Sequence, residues 1–104
     1  MFPIWEHGGV RIISERRLKE FVERFPRAKG ALSSWATAVE LSAWKNPGEL
    51  KRTFGTVDFV GDKTVFDIGG NKFRLIAYVH YRRQIVYIKQ VFTHAEYDKG
   101  DWKL

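Results

Sequence analysis

The sequence predicts an α+β fold: an N-terminal strand, a two-helix hairpin, a mainly antiparallel sheet of four further strands, and a short C-terminal helical turn. Three observations carry this reading. Apolar residues recur at helical spacing in the first half of the chain, alternate with period two from Val57 onward, and are separated by Gly, Asn, Asp and Pro punctuation.

Each element follows from its own pattern. Val10 to Ser14 reads as a short strand, with Ser14 placed to cap the helix after it. Leu18, Phe21, Val22 and Phe25 then mark one buried helical face, and Pro26 stops that helix. A second helix is predicted from Ala28 to Trp44, with Leu32, Trp35, Ala36, Val39 and Ala43 inward, ended by Asn46, Pro47 and Gly48. A turn or short helix at Glu49 to Phe54 leads to strands at Val57 to Val60 and Thr64 to Ile68 across a Gly61–Asp62 turn.

Gly69, Gly70 and Asn71 form the next turn, because these residue types accept positive φ. A phosphate loop is not indicated, since neither GxGxxG nor GxxxxGK[ST] is present. In the last hairpin, a two-residue loop at Arg82 and Arg83 pairs Val79 with Val86, Ala77 with Ile88 and Phe73 with Phe92. That register directs a mainly apolar face at the helices and places Arg74, Tyr78, His80, Tyr87 and Lys89 on the other. A slip by one residue would bury Arg74 and Lys89.

The 104 residues suffice for one modest core, assigned to a single domain at 10–104 behind an N-terminal extension at 1–9. Eighteen Lys and Arg against twelve Asp and Glu give a formal charge of +6, which suits a polyanionic partner but equally describes a basic soluble protein. No cysteine is present, which excludes disulfides, thiolate metal sites and a Cys nucleophile. No basic leader with an apolar run follows the start, and no apolar stretch approaches the ~18 residues of a membrane helix, so a soluble, cytoplasmic protein is expected. The spacing of His7, His80 and His94 offers no metal motif, and the serines lie on or beside the helical hairpin, remote in sequence from His94. Neither metal nor cofactor is expected.

The stretch FDIGGNKFRLIAYVHY followed by IVYIKQVFTHAEYDK resembles the HigB branch of the RelE-like bacterial toxins, with a GN-x-aromatic-R-[LV] strand and a THxEYD ending. RIISERRLKEFVERFP fits the opening strand and helix of that family. The resemblance implies an mRNA endoribonuclease that acts on the ribosome and is neutralised by a helix-turn-helix antitoxin of HigA type. Within the motif, Asn71, Arg74, His94 and Tyr97 occupy the recurring positions.

Metal-free RNA cleavage needs a base for the attacking 2′-hydroxyl, an acid for the departing 5′ oxygen, and cations for the phosphorane. Arg74 is the first candidate cation, because its planar fork binds two phosphate oxygens and its charge is permanent. Lys89, on the same expected face, is the second. His94 is the natural general acid or base, histidine being the side chain that exchanges protons near neutrality. Tyr97 lies three residues on, the same side of a helical turn. Asn71, Lys72, Tyr78, His80 and Tyr87 are the candidate RNA contacts, as basic and aromatic groups suited to backbone and unstacked bases.

Structural readings stand beside these. Thr93 and Glu96 form a capping-box pattern that would make His94 a surface residue of a short turn; Tyr97 fits a packed aromatic and Asn71 a turn residue. Two functions remain open on the sequence: a ribonuclease toxin, and a noncatalytic RNA or ribosome binder on the same scaffold.

Overall fold

The computed structural model describes residues 9–70 and 72–100, so the expectations for His7, most of the N-terminal extension and Asn71 concern positions outside the described residues. The chain folds as β1 (Arg11–Ile13), α1 (Arg16–Arg24), α2 (Lys29–Glu40), α3 (Pro47–Thr53), β2 (Asp58–Val60), β3 (Lys63–Ile68), β4 (Phe73–His80), β5 (Ile85–Thr93) and α4 (His94–Asp98). It is an α+β protein around one five-stranded mixed sheet of order β1-β5-β4-β3-β2.

Two helix boundaries differ from the expectation. Ser14 does not cap α1 with its side chain. It adopts a left-handed φ of 75°, and only its carbonyl accepts a bond, from the Arg17 amide at 3.1 Å. The second helix starts after a 3-10 turn at Pro26–Ala28 and stops at Glu40, four residues before Trp44. Trp44 is buried from a loop instead: its amide donates to Gln84 Oε1 at 3.1 Å, and its indole donates to Thr53 Oγ1 at 3.0 Å. Gln84, distant in sequence, thus takes over the amide bond that a longer helix would have supplied internally. Asn46 caps α3, its Oδ1 accepting from the Glu49 amide at 2.9 Å ahead of Pro47.

β1 runs parallel to β5 along one edge, whereas every other pairing is antiparallel. Gly69 and Gly70 take φ of 66° and 61° in the β3–β4 turn, the left-handed values for which glycine carries no Cβ penalty. Val79 pairs with Val86 and Ala77 with Ile88, as the hairpin reading requires, but a bulge follows. Lys89 is the extra residue between the Ala77–Ile88 and Ile76–Gln90 pairs, so Phe73 faces Thr93 and not Phe92. The bulge keeps Val91 on the helix side, opposite Leu75, after two successive polar residues.

All the helices except α4 contribute to one core with the inward strand residues. Phe21, Leu32, Trp35, Val39 and Leu50 meet Phe66, Ile68, Phe73, Leu75, Ala77, Val79, Val86, Ile88 and Val91. Phe66 is central, its ring edge-on to Trp35 at 5.2 Å and to Phe54 at 5.3 Å. The opposite face is not the open surface the alternation suggested, because Val65 and Ile76, directly paired there, are both buried. α4 packs against β4 and β5 and helps to close it. Among the described residues no helix is long and apolar enough to cross a membrane.

Phe66 is 1% exposed, so Phe66→Ala leaves a cavity that rigid strands on either side cannot fill. A loss of about 3–5 kcal/mol is expected by equilibrium denaturation; a loss below about 1 kcal/mol would show that the core collapses around the site.

Candidate active site

The β3–β4 hairpin sets the geometry. Counting outward from the glycine turn, Ile68 pairs with Phe73 and Asp67 with Arg74, so the first pair points at the helices and the second at the outer face. Arg74 Nη1 donates to Asp67 Oδ1 at 3.1 Å, and the two side chains are only 15% and 20% exposed. The same nitrogen donates to the Phe73 carbonyl at 3.3 Å.

Tyr97 arrives from α4. Thr93 accepts from the Glu96 amide at 3.2 Å while Glu96 Oε1 accepts from the Thr93 amide at 3.0 Å, so the capping box legible in the sequence is formed. The His94 amide donates to the Lys72 carbonyl at 3.1 Å, and Glu96 receives Arg24 of α1 at 3.1 Å. These bonds hold the five-residue helix so that the Tyr97 ring lies 5.3 Å from the Arg74 guanidinium carbon, a cation–π stack.

Arg74 and Tyr97 border a cleft of about 390 Å³, whose other walls are Lys51, Thr56, Val57, Asp58, Val65 and Asp67. Lys51 donates to the Val57 carbonyl at 2.9 Å, which brings a second cationic residue to the rim. Burial pushes the Tyr97 phenol above its ordinary value of 10.0; the Asp58 carboxylate and, more weakly, Asp98 act in the same direction, and Arg74 opposes them. The phenol is therefore protonated at neutral pH.

The other candidates are more dispersed. His94 shares α4 with Tyr97 but pairs with Asp98, Nδ1 to Oδ2 at 3.0 Å, and is not among the residues lining the cleft. Lys89 is exposed at the bulge, level with Ile76 and two positions along β4 from Arg74. Tyr78 and Tyr87 are a direct cross-strand pair with rings 6.2 Å apart, and His80 lies edge-on to Tyr78 at 6.4 Å. They continue the outer face beyond Ile76 toward the β4–β5 turn. Lys72 is exposed beside the β3–β4 turn. Among the described residues no group of three or more His, Asp or Glu side chains is placed to hold a metal ion.

Sequence reasoning missed Asp67, Asp58, Thr56 and Lys51. For Asp67 the signal was present: a symmetric hairpin about the glycine turn sets it opposite Arg74. For Lys51, Thr56 and Asp58 none was, because α3 and β2 reach the cleft only through the tertiary arrangement.

A family model described as HigB_toxin, RelE-like toxic component of a toxin-antitoxin system, matches residues 28–100. The chain belongs to the HigB toxin family. It is similar to the mRNA interferase toxin HigB of Escherichia coli strain K12, with 33% identity over 92 residues, 86% of this chain and 88% of that protein. The mRNA interferase HigB of Escherichia coli O6:H1 is 30% identical over 93 residues, covering 86% of this chain and 90% of its own length.

The Thr93 amide, ahead of opposing burial and then the Arg24 contact, holds the Glu96 carboxyl below its ordinary value of 4.5. A group lowered on folding stabilises above its unfolded value and loses that contribution as pH falls through the lowered one. Glu96→Gln is therefore expected to cost stability at neutral pH, with the difference from wild type shrinking in acid, and Thr93→Ala to cost about 1 kcal/mol. Denaturation curves at neutral and acid pH check both; a Glu96→Gln deficit that grows in acid would contradict the assignment.

Proposed function

We propose that this chain is the toxin of its toxin-antitoxin pair and acts as a metal-independent endoribonuclease on mRNA, on the translating ribosome in the cytoplasm. On this reading it is a RelE-like protein held in check by a helix-turn-helix antitoxin of HigA type. The observation that carries the reading is the juxtaposition of Arg74 and Tyr97 at the wall of one cleft. The names of the similar proteins point the same way.

In the reaction the 2′-hydroxyl oxygen attacks the adjacent phosphorus and loses its proton to a base. The bond to the 5′ oxygen breaks, and that oxygen takes a proton from an acid, leaving a 2′,3′-cyclic phosphate and a 5′-hydroxyl. Arg74 faces the negative charge that builds on the phosphorane, where a fixed guanidinium acts most strongly. Tyr97, neutral at physiological pH, supplies a proton to the departing oxygen, and Lys51 adds positive charge at the rim. His94, one turn away and coupled to Asp98, is the candidate base, with Lys89 as a further cation along the strand. Tyr78, Tyr87 and His80 offer aromatic faces to the bases of a single strand, with Lys72 and Asn71 contacting its backbone at the turn. Base stacking on such rings is worth about 1–3 kcal/mol each.

Purified protein added to a reconstituted translation reaction, with mRNA 5′ ends mapped by primer extension, tests this. Wild type is expected to create discrete new ends. Arg74→Ala and His94→Ala are expected to lower their rate of appearance about a hundredfold or more. Translation arrest with intact mRNA would instead identify a noncatalytic binder, and equal losses of binding and cleavage in His94→Ala would remove that residue from proton transfer.

A further inference from the structure

The Asp67 carboxylate has no part in the chemistry above, although it sits against the principal cation of the cleft. The geometry points to a positioning role: Asp67 holds Arg74 in the plane from which it engages the scissile phosphate, and this assignment deepens the reading under Proposed function and rests on it.

Three observations support it. Asp67 and Arg74 are direct partners across the β3–β4 ladder, so backbone register and not chance rotamer overlap brings them together. Both are largely shielded from water, where a charge-assisted bond is stronger than at an open surface. Asp67 and the Phe73 carbonyl take the same nitrogen, Nη1, while Tyr97 lies against the guanidinium carbon. Two acceptors on one nitrogen and one ring against the plane define both the tilt and the rotation of the fork. An arginine side chain otherwise samples many rotamers, and ordering it during the reaction would draw on the binding energy of the substrate.

The same carboxylate repels an incoming phosphate. Its two effects therefore have opposite signs: it weakens binding of the ground state and improves alignment for turnover. A residue that only stabilises the fold would not separate the two. Asp67→Asn keeps the shape and an acceptor oxygen but removes the charge, and Asp67→Glu keeps the charge while lengthening the reach.

The test measures initial cleavage rates against ribosome-bound mRNA concentration in the reconstituted reaction, with thermal unfolding of each variant alongside. Asp67→Asn is expected to lower kcat about tenfold or more, as misaligned groups do, with KM unchanged or lower and cooperative unfolding retained. Asp67→Glu is expected to recover part of kcat. Wild-type kcat in Asp67→Asn, or a fall in kcat together with a raised KM and lost thermal stability, would overturn the positioning role. In either case an inactive Arg74→Ala leaves the ribonuclease reading intact. If Arg74→Ala cleaves like wild type, the site assignment falls and the role of Asp67 with it.

Discussion

The alternation of side chains along β4 is the constraint on which the rest of the molecule depends. Phe73, Leu75, Ala77 and Val79 enter the core, so Arg74, Ile76, Tyr78 and His80 must leave on the other side. With neighbours on both edges, β4 cannot slip without exposing four core residues and burying an arginine. The bulge at Lys89 lets β5 satisfy this constraint despite consecutive polar residues at Lys89 and Gln90. The packing of the hydrophobic core thereby determines where the chemistry-bearing face begins.

A five-residue helix is too short to persist on intrinsic propensity alone. α4 is stable in place because its first turn is closed by Thr93 and Glu96, its His94 amide is bound by the Lys72 carbonyl, and Glu96 is tied to Arg24. The last of these is solvent-exposed and contributes little energy, but it links the helical layer to the outer-face element. The capping geometry thereby brings Tyr97 over Arg74.

The charge of the whole chain and that of the cleft differ in kind. A formal +6 acts at long range on any polyanion and is damped by salt. Within the cleft, Lys51 and Arg74 are matched by Asp58 and Asp67, so local charge is nearly balanced. On the proposed function, attraction of nucleic acid falls to the surface as a whole and discrimination at the phosphate to a few oriented groups.

By itself the sequence determined the α+β class, the turn at Gly69–Gly70, the faces of β4, the capping box of α4 and the likeness to the HigB family. Each depends on local periodicity, turn chemistry or contiguous motif, which survive in one dimension. Only the tertiary structure decided the parallel edge pairing of β1 with β5, the early end of α2 at Glu40, the bulge that moves Phe73 opposite Thr93, and the burial of Val65 and Ile76. It also gathered Lys51, Thr56 and Asp58 around Arg74 and Tyr97 while leaving His94 with Asp98. The physical reason is common to all of these: they arise where residues far apart in the chain compete for the same hydrogen bonds and the same buried volume, and that competition has no signature in the spacing of residues along one segment.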